Sequence, residues 1–258
     1  MFKRCAQIIR NEKIADCVYR MTLKTDPKAL SGFIPGQFAN LKIPGRGELL
    51  LRRPFSISRA DAKTGEFEIS YRIAGKGTQE MSNLRPGTKI DALLPLGKGF
   101  RLLGGDRLVY LVGGGIGVAP LLAVPGKWKK EYRAFFGFRN AGCVFSADEM
   151  NDACGDMIIT TDDGSAGRPG FVTRALDERL RAEKPDAILA CGPMPMLREL
   201  KMLSGKYGVP AQVSMEQRMG CGFGACAVCA CAVNGEEGPD YKKVCADGPV
   251  FDINEVIL

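Results

Sequence analysis

Up to residue 100 the chain alternates apolar and polar positions in short runs. The runs at 6–10, 15–24, 37–43, 53–59, 66–73 and 89–94 are rich in β-formers, and Asp26-Pro27, Pro44-Gly45 and Lys63-Thr64-Gly65 punctuate them. Six short strands at this spacing predict a closed antiparallel barrel. The pattern then changes. Residues 107–112 contain the unbroken apolar run LVYLV, as in a parallel strand buried on both faces. Further strands are expected at 132–137, 156–161 and 187–190, with helix-period stretches at 171–183 and 195–207. That alternation predicts an open parallel α/β sheet. Beyond residue 211 both periodicities give way to a stretch dense in cysteine and glycine. The expected fold class is α+β multidomain, divided as a barrel over 1–100, an α/β domain over 101–211 and a small module over 212–258.

The last stretch carries the most specific signal. Cys221, Cys226, Cys229 and Cys245 fall in the order C-x4-C-x2-C-x15-C, the plant-type spacing for a [2Fe–2S] cluster. Such a cluster needs four thiolates, two on each iron. Three converge from one tight loop, and Gly220, Gly222 and Gly224 let the backbone wrap closely. A zinc site would show two CxxC pairs or cysteine mixed with histidine, whereas this chain has one such pair and no histidine. A disulfide framework suits small secreted domains. Cys231, two residues after Cys229, is expected to pack or to support the ligands rather than join them.

Composition narrows the classes. The net charge of +7 is uneven: residues 212–258 hold seven acidic and three basic residues, so the rest carries +11. Without a basic run or nucleic-acid motif, anionic cofactors account for that excess better than nucleic acid does. The uncharged run at 108–126 approaches membrane length but holds five glycines and two prolines, so it is expected as strand, loop and short helix rather than a span. Ten cysteines without an export signal suggest a reducing cytoplasm.

Four further motifs carry chemistry. In the barrel, Arg53 of Arg53-Pro54-Phe55-Ser56 can fork onto a diphosphate, and Ser56 can donate to a ring or phosphate oxygen. About twenty residues on, Ser70-Tyr71-Arg72 leads into the turn Gly75-Lys76-Gly77-Thr78 and a helical stretch at 79–84, a backbone anion site. In the second domain Gly113-Gly114-Gly115-Ile116-Gly117 follows the first apolar strand. Pro125-Gly126 is expected to stop the helix after it at about two turns. Cys191-Gly192-Pro193-Met194 follows the last strand, at the carboxyl edge where open α/β sheets bind ligands. Asp162 and Asp163 could meet ribose hydroxyls and favour NAD over NADP, while Arg139 argues the other way.

The RPxS and GxGT pair resembles the flavin half of the ferredoxin-reductase superfamily. It implies FAD bound by Arg53, Pro54, Phe55, Ser56, Ser70, Tyr71, Arg72, Gly77 and Thr78. Gly113–Gly117 with Cys191–Met194 would then meet NAD, Ile116 included. Across the whole chain RPFS, YRIAGKGT, VGGGIGVAPLL, CGPMPM, SMEQRMGCGFGACAVC and VCADGPVF are similar to electron-transfer subunits of two-component NAD-dependent (class 1B) dihydroorotate dehydrogenases. The resemblance implies a redox adaptor in pyrimidine biosynthesis. Electrons from a partner's FMN would pass by the [2Fe–2S] cluster and FAD to NAD+, in a heterotetramer with two FMN-containing catalytic subunits. Dihydroorotate oxidation would belong to that partner, so no catalytic side chain is expected here. Rivals are a related NAD(P)H-linked reductase serving ferredoxin or another oxidoreductase, a standalone flavin diaphorase, and a zinc-stabilised interaction protein.

Overall fold

A computed structural model describes residues 2–45, 47–102 and 105–258; residues 1, 46, 103 and 104 of the expected domains lie outside the described residues. The alternating half forms strands β1 (Phe2–Ala15), β2 (Val18–Lys24), β3 (Phe38–Lys42), β4 (Arg53–Asp61), β5 (Glu66–Arg72) and β6 (Lys89–Leu96). They close into a barrel in the order β1-β2-β5-β4-β3-β6, and every pairing is antiparallel. Met21, Leu23, Ile57, Phe67 and Ile69 fill its interior, each wholly buried. Burial of such a side chain contributes about 1.5–3 kcal/mol. The short helix α1 (Lys76–Ser82) follows β5.

The first hairpin corrects the expected strands at 6–10 and 15–24. β1 continues through the polar residues 11–13 and turns at Asp16-Cys17, with Cys17 at φ 56°. Asn11 explains why the polar run stays in the strand. Its amide donates to the Met81 and Leu84 carbonyls at 2.9 and 3.0 Å, and it accepts the Tyr71 hydroxyl at 2.9 Å. It thereby satisfies carbonyls at the end of α1, which helices leave unpaired.

The second sheet begins with β7 (Leu108–Gly114), β8 (Glu131–Phe138), β9 (Met157–Thr161), β10 (Arg168–Pro169), β11 (Ala187–Cys191) and β12 (Ala211–Ser214). The hairpin β13 (Ala230–Gly235) and β14 (Gly238–Lys243) follows, then β15 (Val250–Asp252). The sheet order is β10-β9-β8-β7-β11-β12-β15. All pairings are parallel except the last, where β15 from the C-terminal stretch lies antiparallel on β12.

Helices α2 (Val124–Lys127), α3 (Ala147–Cys154), α4 (Val172–Ala182) and α5 (Met194–Tyr207) cover this sheet. The glycine turn does not open into the expected two-turn helix. Residues Gly115–Leu121 form a 3-10 helix, and Pro125-Gly126 lie inside α2, where a first-turn proline costs no hydrogen bond. Among the described residues no helix is long and apolar enough to cross a membrane.

Barrel and sheet are clasped by charge. Glu149 on α3 accepts from Arg20 at 2.8 and 3.2 Å and from Arg59 at 2.8 Å, and Arg20 also reaches the Ser146 hydroxyl at 2.6 Å. Partial burial pushes the Glu149 carboxyl up, but the two guanidiniums outweigh it and hold it below the usual range. Its stabilising effect is therefore complete above the ordinary carboxylate pKa and fades as pH falls through the lowered one. Glu149→Ala is expected to cost about 1–2 kcal/mol after solvent screening, read as a lower Tm at pH 7. The gap between variant and parent should narrow in scans run at progressively more acidic pH.

Candidate functional site

The cysteine loop between Ser214 and Ala230 has no regular strand or helix. Gly222 and Gly224 take φ of +78° and +90°, which glycine alone adopts without strain, and the chain curls round its own sulfurs. Cys221 and Cys226 bring their Sγ atoms to 3.4 Å. Cys245 returns after the β13–β14 hairpin and pairs with Cys229. Backbone N–H groups aim at the sulfurs: Phe223 and Cys226 donate to Cys221 at 3.5 and 3.4 Å, and Gly224 donates to Cys245 at 3.2 Å. Burial pushes the Cys221 thiol up, but these donors outweigh it and bring it down to about 6. Burial, with Cys229 beside it, pushes Cys245 up to about 12.

Two sulfur pairs ringed by amide donors suit two irons with two thiolates each. Cys231 is buried in the core with Val233 and Val244, as a packing residue.

The loop is tied down from several directions. Lys243 Nζ donates to the Gly224 carbonyl at 2.8 Å, and Asp247 accepts the Lys243 N–H at 2.8 Å. The Gly248 carbonyl accepts the Lys98 N–H at 2.5 Å, and the Pro249 carbonyl accepts the Met215 N–H at 2.8 Å.

In the barrel, the arginine–proline segment and the GxGT turn meet. A Cβ at Gly77 would stand 2.7 Å from Arg53 Nε, so the glycine makes room for that guanidinium. Arg53 also donates to the Leu51 carbonyl. The Thr78 hydroxyl accepts the Ala74 and Gly75 N–H groups at 2.8 and 3.2 Å, so it shapes the turn rather than facing outward free. Pro54, Phe55 and Ser56 are half-buried on β4, and Arg72 is exposed at the end of β5. Ser70 is buried with its hydroxyl unpartnered, a polar atom waiting for a ligand. The Tyr71 ring is 1% exposed, packs on Tyr19 and Phe55 and bonds Asn11, so its side chain belongs to the barrel core.

The glycine turn and the Cys-Gly-Pro-Met segment lie against each other. A Cβ on Gly117 would meet the Cys191 carbonyl at 2.4 Å, and one on Gly114 would meet Pro193 at 2.7 Å. A cleft of about 520 Å³ opens there, lined by Gly114, Gly115, Ile116, Pro193, Arg139 and Asp162. Gly113, Gly117 and Gly192 pack behind it, and Met194 is exposed on its own helix. Cys191 is fully buried, which drives its thiol far up. Asp163 is not in the cleft; it accepts the Ser165 N–H and hydroxyl at 3.0 and 2.6 Å, bonds that hold it low.

Phe171 and the hydrogen-bonded pair Thr173–Glu199 (2.7 Å) also line the cleft and carried no sequence signal. Arg72 reaches it from the barrel. Glu216 is within electrostatic reach of both Arg72 and Cys191. Desolvation by its surroundings raises its carboxyl, against Arg72, although the side chain itself is exposed.

A closed flavin-type barrel, a parallel sheet with a glycine-lined cleft and a four-cysteine loop define a flavin and iron–sulfur oxidoreductase of the ferredoxin-reductase fold. The family description "Oxidoreductase FAD-binding domain" matches residues 6–100, and "Iron-sulfur cluster binding domain of dihydroorotate dehydrogenase B" matches residues 216–257. The "Dihydroorotate dehydrogenase B (NAD(+)), electron transfer subunit" of Caldanaerobacter subterraneus subsp. tengcongensis is 40% identical over 100% of this chain and 99% of its own. The protein of that name from Geobacillus kaustophilus is 43% identical over 87% of each. A solved chain of an NADH-dependent reduced ferredoxin–NADP oxidoreductase superposes with a TM-score of 0.86 at 30% identity, covering 97% of this chain and 89% of that one. Phthalate dioxygenase reductase shares the fold, with a TM-score of 0.66 at 18% identity over 93% and 76%. The chain belongs to the family of dihydroorotate dehydrogenase B electron transfer subunits.

Gly117→Ala would push a methyl into the Cys191 backbone and part the two segments that frame the cleft. A cost of about 2 kcal/mol is expected, seen as a fall in Tm of roughly 4–8 °C.

Proposed function

We propose that the chain moves electrons between a catalytic dihydroorotate dehydrogenase subunit and NAD+, supporting oxidation of dihydroorotate to orotate in pyrimidine synthesis. The observation that carries this is the meeting of three sites in one chain: the paired cysteines, the arginine-and-glycine cradle, and the glycine-lined cleft. FAD, when bound, supplies exchange between hydride pairs and single electrons, and a [2Fe–2S] cluster supplies single-electron relay.

Cys221, Cys226, Cys229 and Cys245 are the proposed iron ligands. Arg53 and the turn at Gly77–Thr78 would hold the flavin diphosphate. Ser56 and the unpaired Ser70 hydroxyl would orient the rest of the flavin, and Arg72 would sit where barrel and cleft meet. Gly114, Gly115, Ile116 and Pro193 would face the nicotinamide nucleotide. Asp162 would offer its carboxylate to ribose hydroxyls and so favour NAD, with Arg139 across the same cleft. The partner would contain FMN and the dihydroorotate site, two of each subunit would assemble, and the complex would work in the cytoplasm. The proposed division is a flavin barrel over 1–100, an NAD domain over 101–211 and a cluster module over 212–258, the last lending β15 to the sheet.

The likeness to the reduced ferredoxin–NADP oxidoreductase supports a second reading, a subunit that serves ferredoxin. Co-purification with a catalytic subunit, then an assay with dihydroorotate and NAD+, separates the two. NADH formed from dihydroorotate supports the first reading; activity with ferredoxin alone supports the second. Colour tests both, since a colourless protein fits neither.

Two variants extend the test. Cys229→Ser is expected to abolish dihydroorotate-dependent NAD+ reduction in the complex while NADH–dye turnover persists; equal loss of both would contradict separate sites. Arg53→Ala removes the charge-assisted grip on a diphosphate, worth about 1.5–3 kcal/mol, so flavin affinity should fall roughly 10- to 150-fold, measured by flavin titration.

A further inference from the structure

One buried polar side chain between the flavin barrel and the cysteine loop has no part in the binding sites above. Asn40 lies in the middle of β3 and is 1% exposed. Its backbone is in register with Pro54 of the arginine–proline segment on one side and with Leu93 on the other. The Arg52 guanidinium steadies that backbone. It donates to the Asn40 carbonyl at 3.4 Å and to the Asp91 carbonyl and carboxylate at 2.9 and 2.7 Å.

The Asn40 side chain crosses to the other module. Its Nδ2 donates to the carbonyl of Cys221, 181 residues away in sequence, at 3.3 Å. The loop is shaped to receive it: a Cβ on Gly222 would stand 2.2 Å from that nitrogen, and Gly222 already has φ +78°. The amide's other atom, Oδ1, is buried without a partner. A buried unpaired carbonyl is costly, so packing alone would favour leucine at this position. The asparagine is therefore explained by the donor it supplies.

We infer that Asn40 is a positioning residue, fixing the cysteine loop on the flavin-binding barrel and so the place of the cluster relative to the flavin. This rests on the function proposed above. The loop has no strand or helix to hold it, so its position depends on individual tethers. Lys243 supplies one from the cluster module itself, through the Gly224 carbonyl. Asn40 supplies one from the barrel, at the carbonyl of a ligand residue and one β-ladder step from the flavin segment.

The test compares Asn40→Leu and Asn40→Asp with the parent, each co-expressed with the catalytic subunit. Leucine and aspartate keep the side chain's size but not the amide donor. Both complexes are expected to load iron and flavin. The EPR lines of the dithionite-reduced cluster should shift or broaden. Bleaching of the cluster by EDTA should quicken roughly tenfold, the change expected when one hydrogen bond no longer opposes local opening. Parental EPR lines and bleaching rate in both variants would overturn the inference, even with a lowered Tm, because that is what a packing residue gives. Should neither variant fold, the smaller Asn40→Ser carries the same comparison, and failure of all three to fold overturns the positioning role. A parent complex without a cluster EPR signal would instead overturn the proposed function itself.

Discussion

The backbone of residues 247–251 is the joint on which the rest depends. Its carbonyl at Gly248 receives the N–H of Lys98, just beyond β6, and its carbonyl at Pro249 receives the N–H of Met215, at the start of the cysteine loop. At the next residue the same strip becomes β15 and lengthens the parallel sheet. Barrel, sheet and loop thus share one short segment. Glycine is required at two points of the joint: a Cβ on Gly248 would enter the Phe251 ring at 2.2 Å, and one on Gly97 would meet Pro249 at 2.5 Å. Close approach of backbones joins the three modules here, alongside the side-chain ties of Glu149 and Asn40.

The same economy of side chains recurs at the sites. Gly77 yields space to Arg53, Gly117 lies on the Cys191 carbonyl, and Gly222 lies under Asn40. Donors to the cysteine sulfurs are main-chain N–H groups. A backbone donor cannot swing away as a side chain does, and its position follows from the fold. This suits centres whose work is to keep distances fixed.

Much of this was legible in the chain's pattern, and the misses have physical causes. Barrel strands were readable because apolar alternation broke at Pro, Gly and Asp turns. The turn at Asp16-Cys17 was not, because Asn11 in the polar run is an inward-facing cap for α1 rather than a break. Helix α3, ADEMNDAC, buries only Met150 and Cys154 and shows no apolar stripe to detect. β15 is three residues long, and its pairing with β12 depends on the joint at Pro249. The four cysteines could be found because their spacing is local. The contacts of Asn40 and Lys243 could not be read, because each reaches the cysteine loop from outside it. Tyr71 was expected at the flavin because the Ser70–Arg72 segment resembles the family's, and a segment resemblance does not say which side chain of it is turned into the core.

The electrostatics complete the picture. The chain has no histidine, and the buried thiol of Cys191 is pushed out of the range where it could exchange protons at neutral pH. Asp162 and Arg72 line the cleft, and Arg72 acts electrostatically on Glu216. An electron carrier needs rigid donors around its centres, a basic body for anionic cofactors and a defined spacing between modules. The amide of Asn40, reaching out of the barrel to a ligand's carbonyl, meets the last of these needs with a single hydrogen bond.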